Sequence, residues 1–292
     1  MHCELQTAGW RKPDSPLSHE VGSARRCLGL SLSGIVLSLC LTGCTALPGS
    51  RPWGEDVTIS PGWQKIGDAA IDAARDPWVW IPLAGAAGLQ VNNWDRDVSD
   101  WARRETPLYG SRQNAESWSG DLRNVAVLAE ATTVLLAPSS DNTGSWAENK
   151  AQGLALDLAA IGSASAVTSV LKSQVGRTRP SGADDESFPS GHTSAAATLD
   201  RLAIRNLAYI DMNPAARRSL TFGLDAVTIA TAWARVEAGA HYPSDTLFSI
   251  ALGNFCANFF RNAFIKSDGE HPRDLAVMPM RDGVMLSYTA RF

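Results

Sequence analysis

Of the 292 residues only five are cysteine, and four of them, Cys3, Cys27, Cys40 and Cys44, fall within the first 44 positions. Cys256 stands alone in the remainder, which excludes an internal disulfide there and leaves stability to packing. Set in "FCANFF", it reads as a small buried hydrophobe. Long apolar runs are scarce. A mean hydropathy of -0.10 argues against a multispanning membrane protein, which needs several apolar runs of about 20 residues. There is no excess of positive charge: 26 Lys and Arg against 30 Asp and Glu give a net charge of -4. Nothing therefore points to nucleic acid as a partner, and any anion site must be a local basic pocket on a mildly acidic body. No internal repeat, low-complexity tract or Cys/His/Asp cluster with metal-ligand spacing appears. What is present is a chain that is 45% hydrophobic and long enough for one sizeable core.

Near the N-terminus, Arg25 and Arg26 precede the short apolar run "CLGLSLSGIVLSLCLTG". It ends in "LTGC", Leu41 to Cys44, which resembles the lipobox of bacterial lipoproteins. The resemblance implies a signal peptide over 1–43, cleavage before Cys44 and a lipid on its thiol. The protein is then held on the periplasmic side of a bacterial envelope. Thr45, not Asp, follows the cysteine, which leans toward the outer membrane over the inner. A plain signal peptide cut nearby, or an N-terminal membrane anchor, are the alternatives. Glu4, Asp14 and Glu20 stand where a basic n-region belongs, and translation starting near Val21 would account for them.

Residues 44–62 are rich in Pro, Gly and Ser and read as a tether. A helical domain is expected over 63–270. "WQKIGDAAIDAARD" has helical spacing and ends at Pro77. "WVWIPLAGAAGLQV" reads as a buried helix broken or started around Pro82. "WDRDVSDWARRE" places Trp94, Val98 and Trp101 on one face and its charges on a solvated one. Longer helices are expected at about 112–136, 145–175, 192–209, 213–237 and 244–265. Asp157 interrupts the apolar run of the second, which weakens a transmembrane reading. Residues 271–292 read as a β-hairpin with Asp282-Gly283 in its turn. The expected fold is all-α, a bundle of about six or more helices with a short C-terminal hairpin. His271 reads as a surface loop residue, and the tryptophans between 53 and 146 as core or interfacial.

Three clusters stand in order. "KSQVGRTRP" has Lys172, then Arg179 and Pro180. "PSGH" runs from Pro189 to His192. "ARVEAGAHYPSD" has Arg235, His241 and Asp245. Each alone is ordinary: solvated cations, a helix start, a side-chain pair. Together they suit an anion carrying about two charges. Arg179 and Arg235 offer planar forks and Lys172 a point charge, and on a continuous helix Lys172 and Arg179 lie two turns apart. Gly191 lets its backbone N–H approach closely, at a helix start with a partial positive charge. Ser190 can cap that helix or donate its hydroxyl to an oxygen of the anion. If the turn after His241 is helical, Asp245 can accept its ring N–H, fix the tautomer and free the other nitrogen.

The order and spacing resemble the signature of the type 2 phosphatidic acid phosphatase and vanadium haloperoxidase superfamily, K-x6-RP, PSGH and SR-x5-H-x3-D. The chain departs from it twice. Ala234 replaces the serine before the arginine, and the gap "SGADDESF" is short, with an acidic rim at Asp184, Asp185 and Glu186. The resemblance implies a phosphatase with His241 as nucleophile, forming a phosphohistidine, and His192 as general acid and then base. Lys172, Arg179, Ser190, Gly191 and Arg235 would bind the phosphate, with no metal or other cofactor and with vanadate as inhibitor. The substrate would be a phosphorylated lipid or a small phosphoester, the lipid anchor supplying the membrane contact. The same pocket suits a vanadium-dependent haloperoxidase with vanadate as cofactor, though about 250 mature residues fits the phosphatase branch better. The third reading is a non-enzymatic envelope lipoprotein.

Overall fold

A computed structural model describes residues 52–140 and 142–265, with the backbone of 274–280 and 283–289. The expected signal peptide, Cys44, His271 and Asp282 lie outside the described residues. Among those described, eight α-helices follow one another: α1 (Trp63–Arg75), α2 (Pro77–Leu89), α3 (Trp94–Glu105), α4 (Arg112–Leu136), α5 (Thr143–Val175), α6 (Gly191–Asn206), α7 (Pro214–Glu237) and α8 (Pro243–Phe264). In the tail, the backbones of Asp274–Met280 and Gly283–Thr289 pair antiparallel, Asp274 opposite Thr289.

Caps set the helix limits. Asp76 accepts from the Trp78 N–H at 2.8 Å with Pro77 in the first helical position, so α2 starts there and runs through Pro82 instead of breaking at it. Asn142 accepts from the Gly144 N–H at 2.9 Å and starts α5. Asn213 caps α7, again ahead of a proline. Gly176, at φ 56°, ends α5 in the left-handed conformation that glycine adopts without strain.

The centre of the bundle is α6, packed against α4, α5, α7 and α8, while α1 and α2 lie against α8. Small side chains allow the close crossing. A Cβ at Gly253 of α8 would sit 2.6 Å from the Ser194 carbonyl oxygen and 2.8 Å from the Ala197 Cβ, so only glycine admits α6 at this distance. Charge buried in this core has polar partners. Asp157 of α5, 1% exposed, faces Arg261 of α8, with the Arg261 Nε 3.1 Å from its Oδ1. Glu130 of α4 accepts from the Asn206 amide nearby. Burial and the Asp157 charge push Glu130 up to about 9. Cys256 is buried, as its setting predicted.

Two expectations are corrected here. The first is the reach of the tether. Trp53 is fully buried, its indole N–H donates to Asn206 Oδ1 at 2.8 Å, and its backbone N–H donates to the Pro138 carbonyl. Thr58 N–H donates to the Phe264 carbonyl at 2.8 Å. An indole that can both fill the gap beside Gly153 and satisfy a buried amide draws Pro52 to Thr58 onto the body. The second concerns α3. Its buried stripe is Asp95, Ser99 and Ala102, while Trp94 and Trp101 remain 54% and 45% exposed. The helix is turned so that a charged residue, not the tryptophans, faces inward.

Trp53→Ala should lower stability by about 3–5 kcal/mol, read as a shift of the urea midpoint followed by circular dichroism. An unshifted midpoint would mean that Pro52 to Thr58 is not docked in solution.

Candidate active site

The three clusters meet where α5 ends, α6 begins and α7 turns into α8. Lys172 lies in the last turn of α5. Because Gly176 ends that helix, Arg179 is not two helical turns further along it, as a continuous helix would place it. It is carried by a tight loop that folds back on itself. Arg179 N–H donates to the Asp184 carbonyl at 2.9 Å, Ser187 N–H donates to the Arg177 carbonyl at 2.8 Å, and Ser181 N–H reaches the Gly239 carbonyl at 3.0 Å. The short "SGADDESF" gap is what permits so compact a loop.

Ser190, fully buried, caps α6: its hydroxyl accepts from the Thr193 N–H and pairs with the Thr193 hydroxyl at 3.0 Å. Its own N–H donates to Ser249 Oγ at 2.7 Å. Gly191 and His192 therefore occupy the first two positions of α6, where N–H groups lack intrahelical partners. A Cβ at Gly191 would meet only the Thr168 methyl, at 3.9 Å. Packing within the protein does not require glycine there; close approach of an outside group would.

Arg235 sits in the last turn of α7, 4% exposed. Its Nη1 donates to Glu116 Oε1 at 2.6 Å and to Ser119 Oγ at 3.2 Å, both on α4. Its carbonyl accepts from the backbone N–H groups of Ala240 and His241, so the turn through Gly239, at φ 72°, hangs from this arginine and delivers His241. His241 is 2% exposed. Its Nδ1 lies 2.5 Å from the Ser187 carbonyl oxygen. A carbonyl only accepts, so Nδ1 carries the proton and Nε2 keeps a free lone pair.

Asp245 is corrected at this point. It does not hold the His241 ring. Its Oδ2 accepts from Ser187 Oγ at 2.5 Å and from the Tyr242 N–H at 2.9 Å, and its Oδ1 accepts from Arg177 Nη1 at 2.5 Å. The cause is local: Pro243 opens α8, so Asp245 stands at its third position and turns back to the N-cap amide. Asp245 thus positions His241 through residue 187, whose hydroxyl it holds and whose carbonyl holds the ring.

Arg235 and Arg179 act electrostatically on His241, His192 and Lys172, and Lys172 acts on His241. His241 is pushed well below the usual histidine range, first by burial and then by Arg235, with Lys172 and Arg179 adding to it. His192 falls to about 4, through burial, Arg235 and Arg123. Burial, with Arg179, lowers Lys172. Burial raises Asp245 against the donors that hold it. Among the described residues no group of three or more His, Cys, Asp or Glu stands in a metal-holding arrangement.

Several residues at this site lie outside the three clusters. Asp95 was grouped with a solvated face, yet it is 4% exposed. It accepts from the Ser244 N–H and hydroxyl at 2.8 and 2.6 Å and from Arg177 Nη2 at 2.7 Å. Arg177, whose guanidinium lies 4.0 Å from the Tyr242 ring centroid, bridges Asp95 to Asp245. Glu116, Ser119 and Arg123 come from α4, about 50 residues before the first motif. Their spacing by three and four, matching one helix face, was the available sign.

The PAP2 superfamily model matches residues 154–267, a span containing all three clusters. No curated protein matches the chain. Among solved structures, a transmembrane PAP2 type phosphatidylglycerolphosphate phosphatase from Bacillus subtilis is similar at 20% identity, with 63% of this chain and 92% of that one covered and a TM-score of 0.48.

His192 is held neutral by the fold, with its affinity for a proton lowered from 6.5 to about 4. Between those values the unfolded chain binds a proton there that the folded chain does not, so this group's contribution is full above about 6.5 and is lost as pH falls toward 4. Glu130 and Asp200, both raised by burial, act with the opposite sign and cancel in a comparison of variants. The melting temperature of His192→Asn relative to wild type should therefore rise between pH 7 and pH 5; a pH-independent difference would contradict the placement of His192.

Proposed function

We propose that this chain, whose residues 154–267 belong to the PAP2 superfamily, is a phosphatase of the lipid phosphate type. It hydrolyses a phosphomonoester or pyrophosphate ester through a phosphohistidine on His241. The observation that carries the reading is the gathering of Lys172, Arg179 and Arg235 around a buried imidazole whose Nδ1–H is committed to the Ser187 carbonyl. That commitment leaves Nε2 as the nucleophile.

Chemically, Nε2 of His241 attacks phosphorus and the bond to the leaving oxygen breaks, that oxygen taking a proton from His192. Water then attacks the phosphohistidine, giving a proton to His192 and freeing inorganic phosphate. Lys172, Arg179, Arg235 and the N–H groups at the start of α6 neutralise the equatorial oxygens. His192 at about 4 is neutral near pH 7. A phosphoryl group with about two negative charges, placed among the same cations, raises its proton affinity again. The acid therefore forms as substrate binds.

A membrane-borne substrate is favoured by α5. It is long and apolar enough to cross a membrane, and Asp157, the charge within its apolar run, is turned inward. Leu154, Leu158, Val167 and Val170 face outward. With a lipid on Cys44, this face would hold the protein at a bilayer carrying a phosphorylated lipid.

His241→Ala should lower kcat by about 10⁴-fold or more, and rapid acid quenching of wild type should trap an acid-labile phosphoenzyme absent from the variant. Hydrolysis should survive EDTA and be blocked by vanadate. An active alanine variant, or peroxide-dependent bromide oxidation by vanadate-loaded protein without ester hydrolysis, would overturn the reading. A panel of lipid phosphates in vesicles and soluble phosphoesters, assayed on the same preparation, should rank the lipids first.

A further inference from the structure

Of the cations assigned to the phosphate, the two arginines are paired with carboxylates from the rim. Arg235 Nη1 meets Glu116 Oε1 at 2.6 Å. Arg179 Nε meets Asp184 Oδ1 at 2.5 Å, with Glu186 4.0 Å from its Nη2. Lys172 Nζ donates to the Glu186 carbonyl. These pairs differ from the others in the core. In Arg261–Asp157 both side chains are buried, 3% and 1% exposed. In Arg177–Asp245 the carboxylate is fully buried.

At the rim the burial is one-sided. The Arg235 side chain is 5% exposed but Glu116 is 56% exposed; Arg179 is 17% exposed but Asp184 is 47% exposed. The guanidinium is therefore enclosed, whereas the carboxylate stands at the water; Asp184 Oδ1 is also held by the Glu186 N–H at 2.9 Å, so exchange there breaks its bond to Arg179 and leaves the loop in place. A carboxylate that returns to bulk solvent recovers its hydration, so an exposed pair is weak and cheap to open, unlike a buried one.

We propose that Glu116 and Asp184 are exchange counter-ions of the phosphate site. They hold Arg235 and Arg179 in the orientation that binds phosphate and yield them to the incoming phosphoryl group. They then compete with inorganic phosphate for the same guanidinium groups, which speeds its release. This inference rests on the phosphatase reading and adds to it a means of product release. Glu116 is the less expected of the two, because it lies on α4, outside all three motifs. The other exchange carboxylate comes from the short acidic loop, and so the departure from the family spacing acquires a role. Asp185, between Asp184 and Glu186, accepts instead from the Thr178 hydroxyl at 2.7 Å and has no part in the exchange.

The test uses the full chain and its Glu116→Gln, Asp184→Asn and Asp185→Asn variants. Equilibrium binding of inorganic phosphate and of orthovanadate is measured by calorimetry, and KM and kcat with a phosphomonoester. Glu116→Gln and Asp184→Asn should each bind both anions about three- to fivefold more tightly, as loss of a competing exposed ion pair implies. KM should fall by a similar factor, kcat should not rise, and Asp185→Asn should match wild type. A purely structural role for either carboxylate would instead weaken binding. Unchanged or weaker binding in the two variants would overturn the proposal, as would equal tightening in Asp185→Asn, which would indicate a general charge effect. Wild-type protein that neither binds these anions nor hydrolyses the ester would overturn the phosphatase reading itself.

Discussion

A buried carboxylate joins the pieces from which the site is made. Asp245 is fully buried, and its two oxygens hold the Ser187 hydroxyl, the Tyr242 amide and the Arg177 guanidinium. Those three groups belong to the loop before α6, the start of α8 and the loop after α5. Asp95 extends the same network to α3 through Arg177 and Ser244. A charge buried this deeply is tolerable only while its donors stay in place. The orientation of His241 follows: its ring rests on the carbonyl of the very residue whose hydroxyl Asp245 fixes. The imidazole is held by backbone, and the carboxylate holds the backbone.

That arrangement explains what could and could not be read from the chain. The helices α4, α5, α7 and α8 were legible within about two residues, because apolar periodicity and cap residues such as Ser111, Asn142 and Asn213 act locally. The meeting of Lys172, Arg179, His192, Arg235 and His241 was legible only as a spacing pattern, and the loop geometry that achieves it was not. Gly176 breaks the helix that would have carried Arg179, yet the loop pairs Arg179 with Asp184 and returns it to Lys172. The Asp245 carboxylate departs from its expected contact for a related reason. A spacing of four suggests contact on a helix, but His241 lies before the cap and Asp245 after it.

The orientation of α3 and the docking of Trp53 were not legible because both depend on partners far along the chain. Asp95 is turned inward by Ser244 and Arg177, 149 and 82 positions away. Trp53 is drawn in by Asn206, 153 positions away. Composition marked the first as solvated and the second as linker. In both cases a buried polar partner overrode the local signal, since the Ser244 N–H or the Asn206 amide left unpaired in the interior is costly.

The same contrast between buried and exposed ends of a charge pair separates the core pairs of this fold from those at the rim. Asp157 and Arg261 are both enclosed, and with them the inner side of α5 is fixed to α8. The last turn of that helix carries Lys172, whose burial lowers its proton affinity while its ammonium still reaches the Glu186 carbonyl. One helix therefore presents an inward charge that is permanently paired and a terminal charge paired only with the rim. Its outer side between them carries the exposed Leu158, Val167 and Val170. Under the proposed reading these are the three requirements of a lipid phosphate enzyme. The chain needs a core that tolerates a carboxylate within an apolar helix, a surface compatible with acyl chains, and a cation where that surface ends. On that reading, placing all three on α5 would tie the depth at which the helix meets a bilayer to the height at which the phosphate is held.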